Sequence, residues 1–287
     1  MFEKKLSAGR GCMTDTTNTD SGRNLFEELR HANMESVREA IRSGAYRGHT
    51  AGIGLGLVQG NVAILPADYA LDFFRFCQRN PKPCPLVGVS DTGEPMLRTL
   101  GKDIDIRRDV PLYNIYLDGK LDRQEPDIDD LWRDDMVAFV LGCSFTFERA
   151  LLAEGIRLAH IDDNKVVSMY RTSIETRPAG PFRGPVVVSM RPMRSSDAIR
   201  ASVITARFPH AHGSPIHFGD PGKIGIGNLS KPDWGDTVTL EDDQVPVFWA
   251  CGVTPQAAVQ LAKPPLCITH APGRMLITDI PDMLPGN

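Results

Sequence analysis

Between Asn24 and Arg42 the apolar residues Leu25, Leu29, Val37 and Ile41 fall on one helical face, and charges fill much of the rest. That spacing predicts one helix or two short ones, with Gly44 as the stop. Beyond it the pattern shifts to short apolar runs of strand length. "VAILP" (62–66) reads as a strand whose Pro66 opens the helix "ADYALDFFRFCQRN", because the first helical position has no use for an N–H. "PKPCPLVGVSD" turns into a further strand, and "VPLYNIYLDGKL" (110–121) carries Asp118-Gly119, a pair suited to a tight hairpin. A short helix is expected around "DIDDLW". "MVAFVLG" (136–142), "PVVVSM" (185–190) and "VPVFWA" (245–250) are almost wholly apolar, as strands covered on both faces are. The helices "SFTFERALLAEG", with its Gly stop, and "SSDAIRASVITARF", with a serine N-cap, alternate with them.

Strands alternating with helices, plus one hairpin, predict an α/β fold built on a mixed sheet with flanking helices. No internal repeat stands out. Residues 1–22 read as a flexible N-terminal tail, with Met13 a second candidate start, and residues 23–287 as a single compact α/β unit. The 287 residues, 41% of them apolar, suffice for a substantial core. A net charge of -4 without long Lys or Arg runs argues against nucleic acid and anionic membranes as partners and leaves a small anionic substrate. No apolar run approaches the ~20 residues that span a bilayer, and the start lacks a signal peptide's apolar segment. The six cysteines (Cys12, Cys77, Cys84, Cys143, Cys251, Cys267) have irregular spacing and no C-x-x-C. They suit neither a disulfide scaffold nor a zinc knuckle, so a cytoplasmic location is expected. Subunit number is left open, with a homo-oligomer as one outcome.

Two strand-to-helix corners share a plan. One apolar run enters Gly142, Cys143 and Ser144 before a helix; the other enters Cys251, Gly252 and Thr254, with Pro255 taken as the first helical position and Gln256 beside it. Were these strands parallel neighbours, both helix N-termini would open on one sheet edge and attract a carboxylate through free N–H groups. Ser144 and Thr254 then serve as N-caps or as substrate-binding residues. Glu148 lies one position past the capping-box site, which leaves its carboxylate for acid/base work. A thiol at a helix N-terminus can carry protons, so Cys143 and Cys251 are candidates, against the plainer role of filling a buried corner.

"FPHAHGSPIHFGDP" (208–221) concentrates His210, His212, His217 and Asp220. It reads in three ways: a divalent-metal set of His210, His212 and His217, an acid/base His217 oriented by Asp220, or a polar turn. No cofactor is predicted, a divalent metal being the alternative. His270, at the end of an apolar strand, is a candidate catalytic partner. Arg171 and Arg191 can each clamp a substrate carboxylate in bidentate fashion, or sit in plain ion pairs. The glycines of "GHTAGIGLGLVQGN" (48–61) lack the preceding strand and following helix of a dinucleotide fingerprint and read as a loop.

The segments "GHTAGIGLGLVQGN", "FCQRNPKPCPLVGVSD", "LWRDDMVAFVLGCSFTFE", "MYRTSI", "PAGPFRGPVVVSMRP", "PIHFGDP", "VPVFWACGVTPQ" and "THAPGRMLITD", in this order from Gly44 to Pro281, resemble the bacterial "putative hydro-lyase" family. That family's domain is similar to part of the mitochondrial D-glutamate cyclases. The resemblance implies an α/β fold with a second, smaller α+β portion, placed here within about 104–180. It also implies loss of water from a small hydroxy- or amino-carboxylate, as in closure of glutamate to 5-oxoproline. Two departures stand out: "TSIETRPAG" lacks the Asn and Cys expected after "MYRT", and Arg274 replaces a usual His, while His270 is kept.

Three functions fit these residues. In the first, a lyase, His217 or His270 moves a proton, Glu148 or Cys143 assists the departing hydroxyl, and an Arg or helix end holds the carboxylate. The others are a metal-dependent hydrolase and a non-catalytic binding module for an acidic metabolite.

Overall fold

The computed structural model describes residues 20–163 and 165–282. Of the expected N-terminal tail, residues 1–19, Met13 included, lie outside the described residues, and Asp20 already begins a helix. The amphipathic stretch forms two helices, α1 (Asp20–Arg30) and α2 (Met34–Arg42), divided by Asn33, whose side chain takes the Ser36 N–H at 2.9 Å. Next come β1 (Leu57–Pro66), α3 (Ala67–Arg79), β2 (Leu86–Val89), the hairpin β3 (Tyr113–Leu117) and β4 (Lys120–Glu125), β5 (Met136–Gly142) and α4 (Phe145–Ala153). The chain continues through α5 (Ala159–Asp162), β6 (Ser168–Glu175), β7 (Pro185–Arg194), α6 (Ser195–Ala206), β8 (His217–Phe218), β9 (Gln244–Ala250), α7 (Val253–Ala262), β10 (Leu266–His270) and β11 (Leu276–Pro281). Asp118 and Gly119 turn the hairpin with φ of 49° and 78°, the left-handed pair that a two-residue connection needs. "DIDDLW" contributes only a 3-10 turn at Asp129–Leu131.

The strands form two sheets. The larger runs β2-β5-β1-β10-β3-β4, with β11 continuing along the β1 edge that β10 occupies, and the smaller runs β6-β7-β9-β8. Helices and sheets combine as expected, with a second, smaller sheet present. Strand direction is the difference: every pairing among the described strands is antiparallel. The strands before the two cysteine corners, β5 and β9, lie in different sheets and are not parallel neighbours. Apolar runs report that both faces of a strand are covered, and helices or a second layer can cover antiparallel strands equally well.

The sheets repeat one another, although nothing in the sequence announces it. In each, a ten-residue strand (β1, β7) passes directly into a helix (α3, α6), and a seven-residue strand (β5, β9) reaches another helix (α4, α7) after two residues. Register matches as well: Pro66 opposes Met136 and Gly60 opposes Gly142, as Arg194 opposes Gln244 and Val188 opposes Ala250. The corners close identically. Cys143 N–H donates to the Gln59 carbonyl (3.1 Å) and Gln59 N–H to Thr146 Oγ1 (3.3 Å); Cys251 N–H donates to the Val187 carbonyl (2.9 Å) and Val187 N–H to Thr254 Oγ1 (2.9 Å).

Each half hands its next strand to the other. After α4 the chain supplies β6 to the edge of β7, and after α7 it supplies β10 and β11 to the edge of β1. Burial follows the same plan: Phe147 and Leu151 of α4 share an apolar cluster with Ala198 and Ala201 of α6, and Ala258 and Val259 of α7 share one with Phe73 and Phe76 of α3. Such reciprocity is that of two similar units which exchange edge strands. The sheets and both cysteine corners are thereby locked together by chain crossings as well as by apolar burial.

Close approach at the corner leaves no room for a side chain at Gly142, where a methyl group would overlap the His210 carbonyl oxygen. Gly142→Ala is expected to lower stability by about 1–3 kcal/mol through overpacking. Gly227→Ala, with nothing within 4 Å of the added carbon, serves as the neutral comparison in urea unfolding.

Candidate active site

The buried polar residues between the sheets gather around Arg191, which β7 carries inward with no exposed surface. A guanidinium so placed needs partners that keep its charge satisfied. Nη1 donates to Ser189 Oγ (3.0 Å), and Nη2 donates to Ser144 Oγ (3.0 Å) and to Glu148 Oε1 (2.5 Å). The Phe147 and Trp249 rings flank the guanidinium at 5.4 and 5.3 Å, while Nε carries no hydrogen bond. His160 Nε2 completes the group at 3.1 Å from the same Glu148 oxygen. Burial would raise the Glu148 pKa, yet the Arg191 charge and the His160 hydrogen bond together bring it down to about 2. Glu148 is thus ionised, with Oε1 shared by Arg191 and His160, an anchor for Arg191 and a poor proton donor at neutral pH.

The cysteines flank this centre. The Phe145 N–H pulls the Cys143 thiol down, as those of Val253 and Gly252 do the Cys251 thiol. Burial pushes the Cys143 thiol up to about 12, and the neighbouring Cys251 adds to the rise; burial raises Cys251 as well, against the pull of the Val253 N–H and Arg191. Both rest as protonated thiols at neutral pH. Cys251 keeps some solvent exposure, and its sulfur lies 3.5 Å from that of Met169.

The repeat assigns different chemistry to its two halves. Ser144 matches Gly252, Glu148 matches Gln256, Ser189 matches Asn61, and Arg191 matches Ala63. Asn61 Nδ2 donates to the Gly142 carbonyl at 3.0 Å and packs against Gly252, so it joins the two corners directly. On the neutral side the Gln256 amide meets the His270 ring at 3.4 Å, as Glu148 meets His160 on the charged side. His270 Nδ1 accepts the Val62 N–H at 3.1 Å, which leaves the ring proton on Nε2. Burial lowers its pKa to about 4, so at neutral pH this imidazole is uncharged and serves as a hydrogen-bond donor.

Cys143, Ser144, Glu148, Arg191, Cys251, Gly252, Gln256 and His270 thus belong to one neighbourhood. Thr254 supports it from below by closing its corner onto β7. Two capping expectations need correction. Ser144 makes no side-chain cap because Arg191 takes its hydroxyl, and α7 begins at Val253, which places Thr254 and Pro255 inside the first turn.

The other expected residues lie elsewhere. His217 pairs across strands with Phe248, itself opposite Met190, so it sits on the sheet face away from Arg191, whose partner is Val247. Its ring stacks on Phe248, and Nε2 bonds the Asp220 carbonyl at 2.7 Å. The Asp220 carboxylate is used locally to accept the Gly222 N–H. Arg171 is exposed over the Trp234 ring and lines a pocket of about 160 Å³ with Lys231 and Asp233. His212 Nδ1 meets the Lys82 carbonyl at 2.9 Å, and His210 is influenced chiefly by Asp282 among charged groups. His210, His212 and His217 therefore do not converge as ligands, and no group of three His, Cys, Asp or Glu side chains suited to a metal occurs among the described residues. These histidines, two and five positions apart in sequence, occupy a 3-10 turn, its left-handed end and a short strand, which aim them apart.

Sequence reasoning passed over His160, Asn61 and Ser189. Ser189 carried a usable signal, as a polar residue in an apolar run two places before an arginine. His160 carried none, since α5 is a single turn without periodicity.

Comparison with known proteins places this geometry in a class. The family described as D-glutamate cyclase matches residues 137–279, a span containing both cysteine corners. Relatives named "Putative hydro-lyase" come from Dinoroseobacter shibae (60% identical, covering 90% of this chain and 86% of the relative) and Verminephrobacter eiseniae (61%, 87% and 91%). One from Ruegeria pomeroyi is 56% identical over 89% of this chain and 93% of its own. The chain belongs to this hydro-lyase family.

Removing the Glu148 charge leaves Arg191 buried and unpaired, so Glu148→Gln is expected to cost about 3–5 kcal/mol in urea unfolding. Its pKa is depressed on folding, so its contribution is complete above about 4.5 and fades as pH falls toward about 2. His212 and His270, both held near 4 against an ordinary 6.5, act in a higher window: their burial favours the fold above 6.5 and opposes it progressively down to about 4. A stability profile against pH should show both declines in the wild type and only the higher one in Glu148→Gln.

Proposed function

We propose that this protein removes water from a small hydroxy- or amino-carboxylate, with the paired cysteine corners as its proton carriers. One observation supports this most: two helix N-termini closed by the same pair of hydrogen bonds each begin just past a cysteine, and the buried Arg191 charge pulls on both thiols. N–H donors and a nearby positive charge stabilise a thiolate whenever a proton leaves, so each sulfur can both give and take one. Loss of water needs that pair of acts. One group takes a proton from carbon or from an attacking amine, and another gives a proton to the departing oxygen.

Arg191 acts from behind. Held by Glu148, Ser144 and Ser189, it supplies positive potential to both sulfurs without leaving its place. The Nε2 proton of His270 and the side chain of Gln256 offer neutral donors suited to a carboxylate or an amide oxygen. His160 orients Glu148, a role that sets Arg191 and touches no substrate.

The match to D-glutamate cyclase favours an amino-dicarboxylate as the first substrate to test. In that reaction the amine attacks the side-chain carboxyl, one thiol gives its proton to the departing hydroxyl, the amine proton returns through the other thiol to the thiolate this leaves, and water departs as the lactam forms. Incubation with D-glutamate and with a series of hydroxy acids, followed by NMR, is expected to show water loss. Cys143→Ala and Cys251→Ala should each slow it by about 10²–10⁴-fold. Thermal stabilisation by these compounds without turnover would instead identify a binding module, and wild-type rates in both variants would remove the thiols from the chemistry.

A further inference from the structure

Arg171 lies outside the Arg191 centre, yet its guanidinium is free to clamp an anion. It rests over the Trp234 ring at 4.8 Å and makes no hydrogen bond among the described residues. The nearest acid, Asp233, is already committed: its Oδ2 accepts the Arg171 backbone N–H at 2.9 Å, while Oδ1 stays 4.0 Å from the Arg171 Nε. Lys231 lines the same cavity, is exposed, and forms no ion pair among the described residues. The cavity therefore carries two cations against one carboxylate that is already tied to the backbone.

Its walls are fixed by hydrogen bonds. Tyr170 Oη donates to the Leu229 carbonyl at 2.7 Å, and Met169 N–H donates to the Trp234 carbonyl and Asp233 N–H to the Met169 carbonyl, both at 2.9 Å. These bonds clip the 225–234 segment onto the edge of β6. Gly225, at φ 80°, lies so close to Ser173 that a side chain there would overlap it. The volume of about 160 Å³ holds one small oxyanion and falls well below the ~300 Å³ at which pockets begin to enclose larger ligands.

We propose that this pocket is a second ligand site, which binds a small dianion through the N–H fork of Arg171 and the charge of Lys231. A guanidinium steadied on an aromatic ring loses little freedom when two oxygens meet its fork, and an ammonium adds a point charge from the side. Inorganic phosphate and a short dicarboxylate share the required chemistry. The site stands independently of the water-loss reading, because its cations take no part in the Arg191 centre. Trp234 is its link to that centre, sharing an apolar cluster with Met169 and Cys251.

The test is isothermal titration of the full chain with sodium phosphate and, separately, with sodium glutarate at constant ionic strength, followed also by tryptophan emission. One saturable site per chain is expected for at least one probe, with a change in emission that is missing in Trp234→Phe. Arg171→Met and Lys231→Glu should each weaken binding by about 10-fold or more, as loss of a bond to a charged group does. Urea unfolding checks both variants, and Lys231→Glu, at an exposed position, decides alone where Arg171→Met fails to fold. Binding of phosphate only supports the site as one for an inorganic oxyanion, and binding of glutarate only supports it as one for a dicarboxylate. Absence of saturable binding by either probe overturns the inference, as does binding that neither charge substitution weakens.

Discussion

A buried guanidinium is the constraint around which the rest is arranged. Arg191 has no exposure to water, and a charge in that position is tolerable only with a counter-charge and nearly all its donors bonded. Its partners come from separate parts of the chain: Ser189 from its own strand, Ser144 and Glu148 from the first corner, and His160 indirectly from the turn beyond α4. Satisfying one residue therefore fixes how α4 lies on the second sheet. That in turn holds Cys143 beside the second half's corner, where Cys251 lies.

The internal repeat explains why such a centre can be stable. Two similar units joined only by an apolar face could slide or separate, but here each donates an edge strand to the other. Opening the centre therefore requires breaking sheet ladders as well as uncovering the apolar packing of α4 on α6 and of α7 on α3. Symmetric scaffolding then coexists with asymmetric chemistry. Glu148 against Gln256, and Arg191 against Ala63, turn a matched frame into a charged wall facing a neutral one.

Much of the architecture was legible from patterning. The helix at 67–79, the hairpin at Asp118-Gly119 and the apolar strands at 136–142, 185–190 and 245–250 follow from periodicity and turn chemistry, because these are local properties. The corners were legible as well, since an apolar run ending in Gly-Cys-Ser or Cys-Gly-Val before a helix exposes its plan in a few residues. Strand partners were not legible. Two strands covered on both faces look the same whether they run parallel in one sheet or antiparallel in two, and the "PHAHGSPIHFGDP" histidines looked convergent only because they are close in sequence.

By itself the sequence determined which residues could do chemistry: two thiols at helix starts, an arginine in an apolar strand, a histidine at a strand end. Tertiary structure alone decided their company. It gave Glu148 to Arg191 and His160, set His217 on the far face of its sheet, and related Cys143 to Cys251 through a repeat that few shared letters betray. The physical reason is that propensity and periodicity act over a handful of neighbours. Burial of a charge, the hand of a sheet pairing and the exchange of edge strands are settled by contacts between residues more than a hundred positions apart, as those of Val62 with His270 and of Arg149 with Asp282 are.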